Sequence, residues 1–241
     1  MSGVLGGRAG YQILRRLNKL SVTAGRCDGS AYSGRSKLEV LLGPNIWSII
    51  SGRGVIDFVC GEGETAIEMA QRGAAIVIGV DIRHSALAAA RIRAERAGVA
   101  GRCVFSEVSP EQADIIISVD GFEHFDDPGE VLAIMRHSLN PGGRVLAAFG
   151  PTWFHPLGGH LFSVFPWAHL LFTEAALLRW RADFKSDGAT RFREVEGGLN
   201  QMTIRRFVNL VENSALQFER FEAVPIRRLR RFTSVLPREI S

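Results

Sequence analysis

The sequence predicts an α/β fold, a mostly parallel sheet with helices on both faces, and three observations carry that expectation. Short apolar runs alternate with amphipathic segments from Gly54 to Phe149, the rhythm of strands joined by crossover helices. The first run, Val55 to Phe58, breaks at once into a glycine-bearing turn, Cys60-Gly61-Glu62-Gly63. The first run carries Asp57 near its end and the second is followed by Asp81, and a parallel sheet brings two such carboxylates to one crevice beyond its carboxyl edge.

Taken in order, residues 1–10 are glycine-rich, and Tyr11 to Leu20 has apolar residues at helical spacing, which predicts a packed N-terminal helix. Ser21 to Ser36 is polar and irregular. Lys37 to Ile50 reads as a helix interrupted by Gly43-Pro44, because proline removes a backbone donor and clashes with the preceding turn. Strands are expected at Val55 to Phe58, Ala75 to Val80, Arg102 to Phe105, Ile115 to Val119 and Val145 to Phe149. Helices are expected between them at Glu64 to Arg72, Ser85 to Ala97 and Glu130 to Leu139, with Asn140-Pro141-Gly142-Gly143 as a sharp turn into the fifth strand. Pro151 to Gly198 breaks the rhythm and reads as an aromatic-rich insertion containing a helix near Thr173 to Trp180. Met202 to Ser214 is then a helix, Phe218 to Ala223 a strand, and Arg227 to Val235 a basic amphipathic end. The expected organisation is an N-terminal helical extension (1–50), an α/β core (51–150), an inserted cap (151–198) and a segment that completes the core (199–241).

Length and composition narrow the function. With 241 residues, 46% of them hydrophobic, the chain has enough apolar surface for a sizeable core. The net charge of +4 is too small to argue for RNA by itself, and much of the excess sits in Arg15-Arg16 and in Arg227-Arg228 and Arg230-Arg231. Three cysteines, Cys27, Cys60 and Cys103, are odd in number and lack CxxC spacing. They support neither a disulfide framework nor a thiolate zinc site, so a reducing interior fits best. No apolar run approaches the roughly 18–20 residues of a spanning helix, and the N-terminus lacks the apolar stretch of a signal peptide. A soluble, cytoplasmic protein is expected, with a peripheral membrane contact left open.

The glycine turn needs small residues because the backbone reverses tightly and approaches a ligand, which makes Gly61 and Gly63 the expected pocket floor. Asp81 lies at the end of the second strand, where an acid accepts from ribose hydroxyls, so a nucleoside cofactor is expected. A dinucleotide fits less well: from Gly61 the chain reads Gly61-Glu62-Gly63-Glu64-Thr65-Ala66, without the third glycine, and both glutamates would face a pyrophosphate.

Val55 to Glu64 followed by Gly79-Val80-Asp81 resembles the first two motifs of class I S-adenosylmethionine-dependent methyltransferases, of the small-molecule, type 11-like kind. The resemblance continues through Asp114-Ile115-Ile116-Ile117-Ser118, Glu123-His124-Phe125-Asp126-Asp127-Pro128 and Leu139-Asn140-Pro141-Gly142-Gly143-Arg144-Val145, and covers about residues 54–150. It implies a Rossmann-like fold with a seven-stranded, mostly parallel sheet, and S-adenosylmethionine as cofactor. By the same resemblance Gly61 and Gly63 would cradle the amino acid part of the cofactor with Asp57 near its ammonium, and Asp81 would take the ribose. Ile82 would lie against adenine, and Glu107 or Ser106 would meet the adenine amine. Asp120, after the fourth strand, is counted with the cofactor contacts. Val59 stands where the family has its first glycine, and its branched side chain would crowd the carboxylate end of the cofactor.

Catalytic candidates follow the fourth strand or lie in the insertion. Glu123 and His124 come directly after it, and a histidine titrates near neutrality, which suits it to take a hydroxyl proton. Adjacent residues on an extended stretch point opposite ways, so His124 as a base and His124 as a structural residue both remain open. His160, after Gly158-Gly159, is the insertion histidine chosen to act on substrate, the two glycines giving it freedom. No metal is expected: His155, His160 and His169 are irregularly spaced and lack a companion acid. Trp153, Phe154 and Trp167 would line an apolar acceptor pocket, with burial of Leu161 to Phe172 in the core as the alternative. The expected activity is methyl transfer to a small, hydrophobic or aromatic molecule, on oxygen, nitrogen or carbon, without nucleic acid as partner. The alternatives are a non-catalytic binding or scaffold protein of the same fold and a dehydrogenase.

Overall fold

Five strands form one parallel sheet in the order β3-β2-β1-β4-β5: β1 (Gly54–Phe58), β2 (Ile76–Val80), β3 (Cys103–Ser106), β4 (Ala113–Val119) and β5 (Leu139–Ala148). The computed structural model describes residues 3–18, 34–110, 112–195 and 197–224. It divides into an α/β unit, Gly29–Phe122 with Gly129–Phe149, and a helical unit made of Met1–Asp28, Glu123–Pro128 and Gly150–Ser241.

In the α/β unit the strands are near-continuous apolar runs because helices cover both faces. The helices are α2 (Lys37–Leu42), α3 (Ile46–Ile50), α4 (Glu64–Gln71), α5 (His84–Arg96) and α6 (Pro128–Ser138). Leu38, Ile50, Val55, Met69, Leu87 and Ile115 are buried in one core. The Ser36 hydroxyl caps α2 by accepting from the Glu39 amide, and Gly43, at φ +95°, ends it, so the break expected at Gly43-Pro44 makes two helices.

The expected turn Asn140 to Gly143 lies inside β5. Ala113 pairs with Leu139 and Ile115 with Arg144, so the single residue Asp114 faces the whole turn. Its carboxylate accepts from Asn140 Nδ2 at 2.9 Å and from the Gly54 amide at 3.0 Å, tying the bulge to the start of β1. Those hydrogen bonds, the Asn140 side chain first, hold the Asp114 carboxyl below the ordinary range.

The helical unit contains α1 (Gly7–Asn18), α7 (Ala168–Leu171), α8 (Glu174–Arg181) and α9 (Ile204–Glu212). Thr173 and Thr203 cap α8 and α9, their hydroxyls accepting from Ala176 and Arg206 amides at 3.3 and 3.0 Å. Leu14 of α1 is buried with Trp153, Phe162, Phe172, Trp180 and Phe192 in a second core.

Three expectations are corrected here. The sheet has five strands rather than seven among the described residues, and Phe218 to Ala223 forms none. The Phe218 ring instead packs on Phe207 of α9, centroids 6.2 Å apart, and on Phe221 at 5.4 Å. These two rings, three positions apart in the chain, serve stacking on a helix rather than a strand ladder. Trp153 is also no pocket wall: it is buried, edge-on to His169 and Phe192. Cys27 and the basic run Arg227 to Arg231 lie outside the described residues. No described helix is long and apolar enough to cross a membrane.

Candidate functional site

The turn after β1 is set by backbone bonds. Val59 and Cys60 amides both donate to the Val80 carbonyl, at 2.8 and 2.9 Å, which locks the turn to the end of β2. The chain then runs left-handed at Val59 (φ +69°), Gly61 (φ +56°) and Gly63 (φ +80°). The two glycines have different duties. A Cβ at Gly63 would meet Ala90 of α5 and Phe105 of β3 at 2.9 Å, so Gly63 permits close packing and is not pocket floor. At Gly61 a Cβ would meet only Arg83 Nη2, at 3.6 Å, so its approach side is open backbone. Val59 holds the same left-handed conformation with a branched side chain, a strained state for such a residue.

Asp57 is 3% exposed, and its Oδ2 has no hydrogen-bond partner. Burial pushes its carboxyl up to about 7; the Lys37 ammonium and the Ala66 amide pull the other way, and the Asp81 charge adds to the rise. Asp81 is also buried, with every oxygen engaged: Oδ1 accepts from Arg83 N and Nε at 2.9 and 3.1 Å, and Oδ2 from Gly61 N and Arg83 Nη2 at 2.9 and 3.2 Å. Burial alone would raise it, but the bonds from Arg83 and Gly61 hold it below the ordinary carboxylate range.

The other expected cofactor contacts follow the same pattern. Glu107 Oε1 lies 2.8 Å from His84 Nδ1, and Asp120 Oδ2 lies 2.6 Å from Lys37 Nζ. Ser106 Oγ accepts from the Val108 amide at 3.1 Å. Ile82, by contrast, is 86% exposed, an apolar side chain standing in water beside Asp81. Each carboxylate of this rim is therefore held by a base from the start of a helix or the turn before it: Asp81 by Arg83, Glu107 by His84, Asp120 by Lys37. Lys37 was not among the sequence candidates, although a signal existed. A lysine in the first turn of a helix opposes the helix dipole and calls for a carboxylate to hold it.

These features fit a nucleoside with a cationic amino acid arm. Asp57 has an orphan buried oxygen, Gly61 an open backbone approach, Asp81 a carboxylate shared between Gly61 and Arg83, and Ile82 an exposed apolar face. The thiols do not enter this chemistry: burial pushes Cys60 up to about 12 and Cys103 up to about 11.

In the helical unit, Glu123, His124 and His160 come together, each offering a ligand atom within 4.8 Å of the others. Residues 122–124 form a turn, not an extended stretch, which lets neighbouring side chains converge. His124 Nδ1 lies 2.9 Å from the Gly198 carbonyl, so this nitrogen carries the proton and the lone pair is on Nε2. The glycines before His160 do not loosen it. A Cβ at Gly158 would run into the Thr152 carbonyl, and one at Gly159 into the His169 side chain, so they serve close packing. His155 and His169 are structural: His155 Nδ1 accepts from the Leu157 amide at 3.0 Å, and His169 bridges Ser163 Oγ at 3.3 Å and the Trp153 carbonyl at 2.6 Å. Burial holds both imidazoles below their ordinary range.

Residues 56–147, from β1 to β5 with the glycine turn and Asp81 inside them, match the family described as a methyltransferase domain. The match is to this segment, which is less than half of the chain. Across about the same length, a ubiquinone biosynthesis O-methyltransferase of Pseudomonas fluorescens is 33% identical over 102 residues, 40% of this chain and 44% of the relative. An enzyme of the same name from Acinetobacter baylyi is 35% identical over 103 residues, 40% of this chain and 43% of the relative. The chain therefore matches less than half the length of these methyltransferases. A methyltransferase of Thiobacillus denitrificans crystallised with S-adenosylhomocysteine is 26% identical, with a TM-score of 0.37 over 43% of this chain and 45% of that one.

Proposed function

We propose that the methyltransferase segment binds S-adenosylmethionine and that the chain transfers its methyl group to a small hydrophobic or aromatic molecule. The observation that carries the reading is the hydrogen bond from the Gly61 amide to Asp81 Oδ2 at 2.9 Å, which joins the open turn of β1 to the acid of β2 inside the matched segment. Asp57 and Gly61 would hold the amino acid arm, Asp81 the ribose hydroxyls and Ile82 the adenine face. Lys37, already drawn to Asp57 and Asp120, is suited to the arm's carboxylate.

The cofactor supplies an activated methyl on a sulfonium, so the protein's work is orientation, exclusion of water and, for a hydroxyl acceptor, removal of a proton. The names of the relatives favour oxygen as the acceptor atom.

Two observations favour a second reading, a binding protein of this fold without turnover: Val59 holds a left-handed turn position that suits glycine, and Arg83 sits on the acid proposed for the ribose. Calorimetric titration of S-adenosylhomocysteine into the purified chain separates the readings. Micromolar binding that Asp81→Ala abolishes supports the methyltransferase; silence from the folded protein contradicts it.

A further inference from the structure

We infer that Glu123, His124 and His160 form a binding site for a divalent transition-metal ion, zinc by preference. One carboxylate and two imidazoles are a ligand set that suits zinc, and their donor atoms lie within 4.8 Å of one another. Donors at about 2.0–2.2 Å from an ion stand roughly 3–3.5 Å apart, so side-chain rotation on the order of 1 Å closes the site with no backbone rearrangement.

The surroundings are those of an oriented ligand set. Glu123 is 2% exposed, its Oε1 accepts from the Gly150 amide at 3.1 Å, and its carbonyl accepts from the Asn200 amide at 3.1 Å. These bonds fix the carboxylate. His124 donates from Nδ1 to the Gly198 carbonyl, an outer bond that sets the tautomer and leaves Nε2 for a metal. Gly198 is fitted to this role, since at φ +69° any side chain there would be strained and its Cβ would stand 2.7 Å from the His124 carbonyl.

His160 provides an independent sign. It holds φ +51°, a left-handed conformation that strains a non-glycine residue and gathers at functional sites. Its ring stands edge-on to His124, centroids 5.1 Å apart. Two neutral imidazoles beside a carboxylate can share a divalent ion, whereas two protonated ones would repel. The sequence hid this set because acid and first histidine are adjacent at 123–124 while the second histidine comes 36 positions later. Spacing within the insertion alone shows no companion acid.

The inference stands apart from methyl transfer and needs no cofactor. Three protein ligands leave coordination positions for water or an oxygen-bearing molecule, which a zinc ion would acidify.

The test is calorimetric titration of zinc chloride into chelator-treated, desalted full chain, with cobalt chloride in a parallel sample as a visible probe of coordination. His160→Gly is the informative variant, because glycine accepts φ +51°, and circular dichroism reports whether it is folded. One equivalent bound at micromolar or tighter dissociation constant is expected, with cobalt absorption in the visible. Affinity should fall at least tenfold in His160→Gly and in Glu123→Gln, and remain in His155→Ala. Absence of zinc binding at 100 μM (about the weakest useful affinity for a resident ion), or undiminished binding by a folded His160→Gly, overturns the inference. Binding to magnesium but not zinc would also overturn it, since imidazoles select against magnesium.

Discussion

Asp57→Asn should make the chain's stability far less sensitive to pH. The native carboxyl, raised from 3.8 to about 7 by burial, keeps its proton across a range where the unfolded chain has lost it. Between about pH 4 and pH 7 the native state thus binds more protons than the unfolded one, and unfolding free energy falls as pH rises. The contribution is fully present below pH 4 and lost as pH passes through 7. A rise of about three tenfold steps in proton affinity, at about 1.4 kcal/mol each, sets that loss at about 4 kcal/mol. Asparagine keeps an oxygen for the Ala66 amide but does not ionise. The added amide donors, left without partners in a dry site, cost about 1–3 kcal/mol at every pH. The two proteins therefore differ by a constant plus a pH-dependent part, and only the second tests the argument. Urea unfolding followed by circular dichroism at pH 4, 5, 6, 7 and 8 reads it. The stability of Asp57→Asn relative to the parent should climb by about 4 kcal/mol from pH 4 to pH 8, half of the rise falling near pH 5.5. A flat difference would mean that Asp57 ionises normally in the folded chain, and the account of its burial would be wrong.

Val59→Gly should raise stability by about 0.5–1 kcal/mol, because relief of a left-handed valine, about 1–2 kcal/mol, exceeds the added chain entropy of glycine, about 0.5–1 kcal/mol. Thermal melts would show a gain of about 1–4 °C, and a loss would refute the strain. Arg83→Ala should tighten S-adenosylhomocysteine binding about two- to fivefold, since the exposed guanidinium must leave Asp81 while Gly61 and the backbone of residue 83 still hold the acid in place. Weaker binding in that variant would make Arg83 a contact rather than a competitor. Iodoacetamide at pH 8 should spare Cys60 and Cys103 in the native protein and modify both in urea, as peptide mass spectrometry would show; rapid native labelling would contradict their burial.

The α/β unit was legible because every local signal agrees there. Apolar runs at β1, β2 and β4 are long enough to be buried on both faces, and the glycine turn and terminal acids punctuate them. What stayed hidden depends on contacts far apart in sequence. Lys37 reaches Asp120 across 83 positions, and nothing in either neighbourhood names the other. Gly61 and Gly63 look equivalent in the chain, yet one faces open space beside Arg83 and the other is wedged against Phe105. The strand expected at 218–223 does not form: Phe218 and Phe221, three positions apart, pack on each other and Phe218 on Phe207 of α9, contacts that nothing in the local sequence announces. His124 and Glu123 were read as diverging, but a turn at 122–124 removes the period-two rule on which that rested.

The central claim is a nucleoside cofactor at the glycine turn and Asp81, and calorimetry of S-adenosylhomocysteine with parent and Asp81→Ala tests it most directly. The account predicts one site of micromolar affinity in the parent and none in the variant, with both proteins folded by circular dichroism. Equal binding in the two, or none in the folded parent, would contradict it.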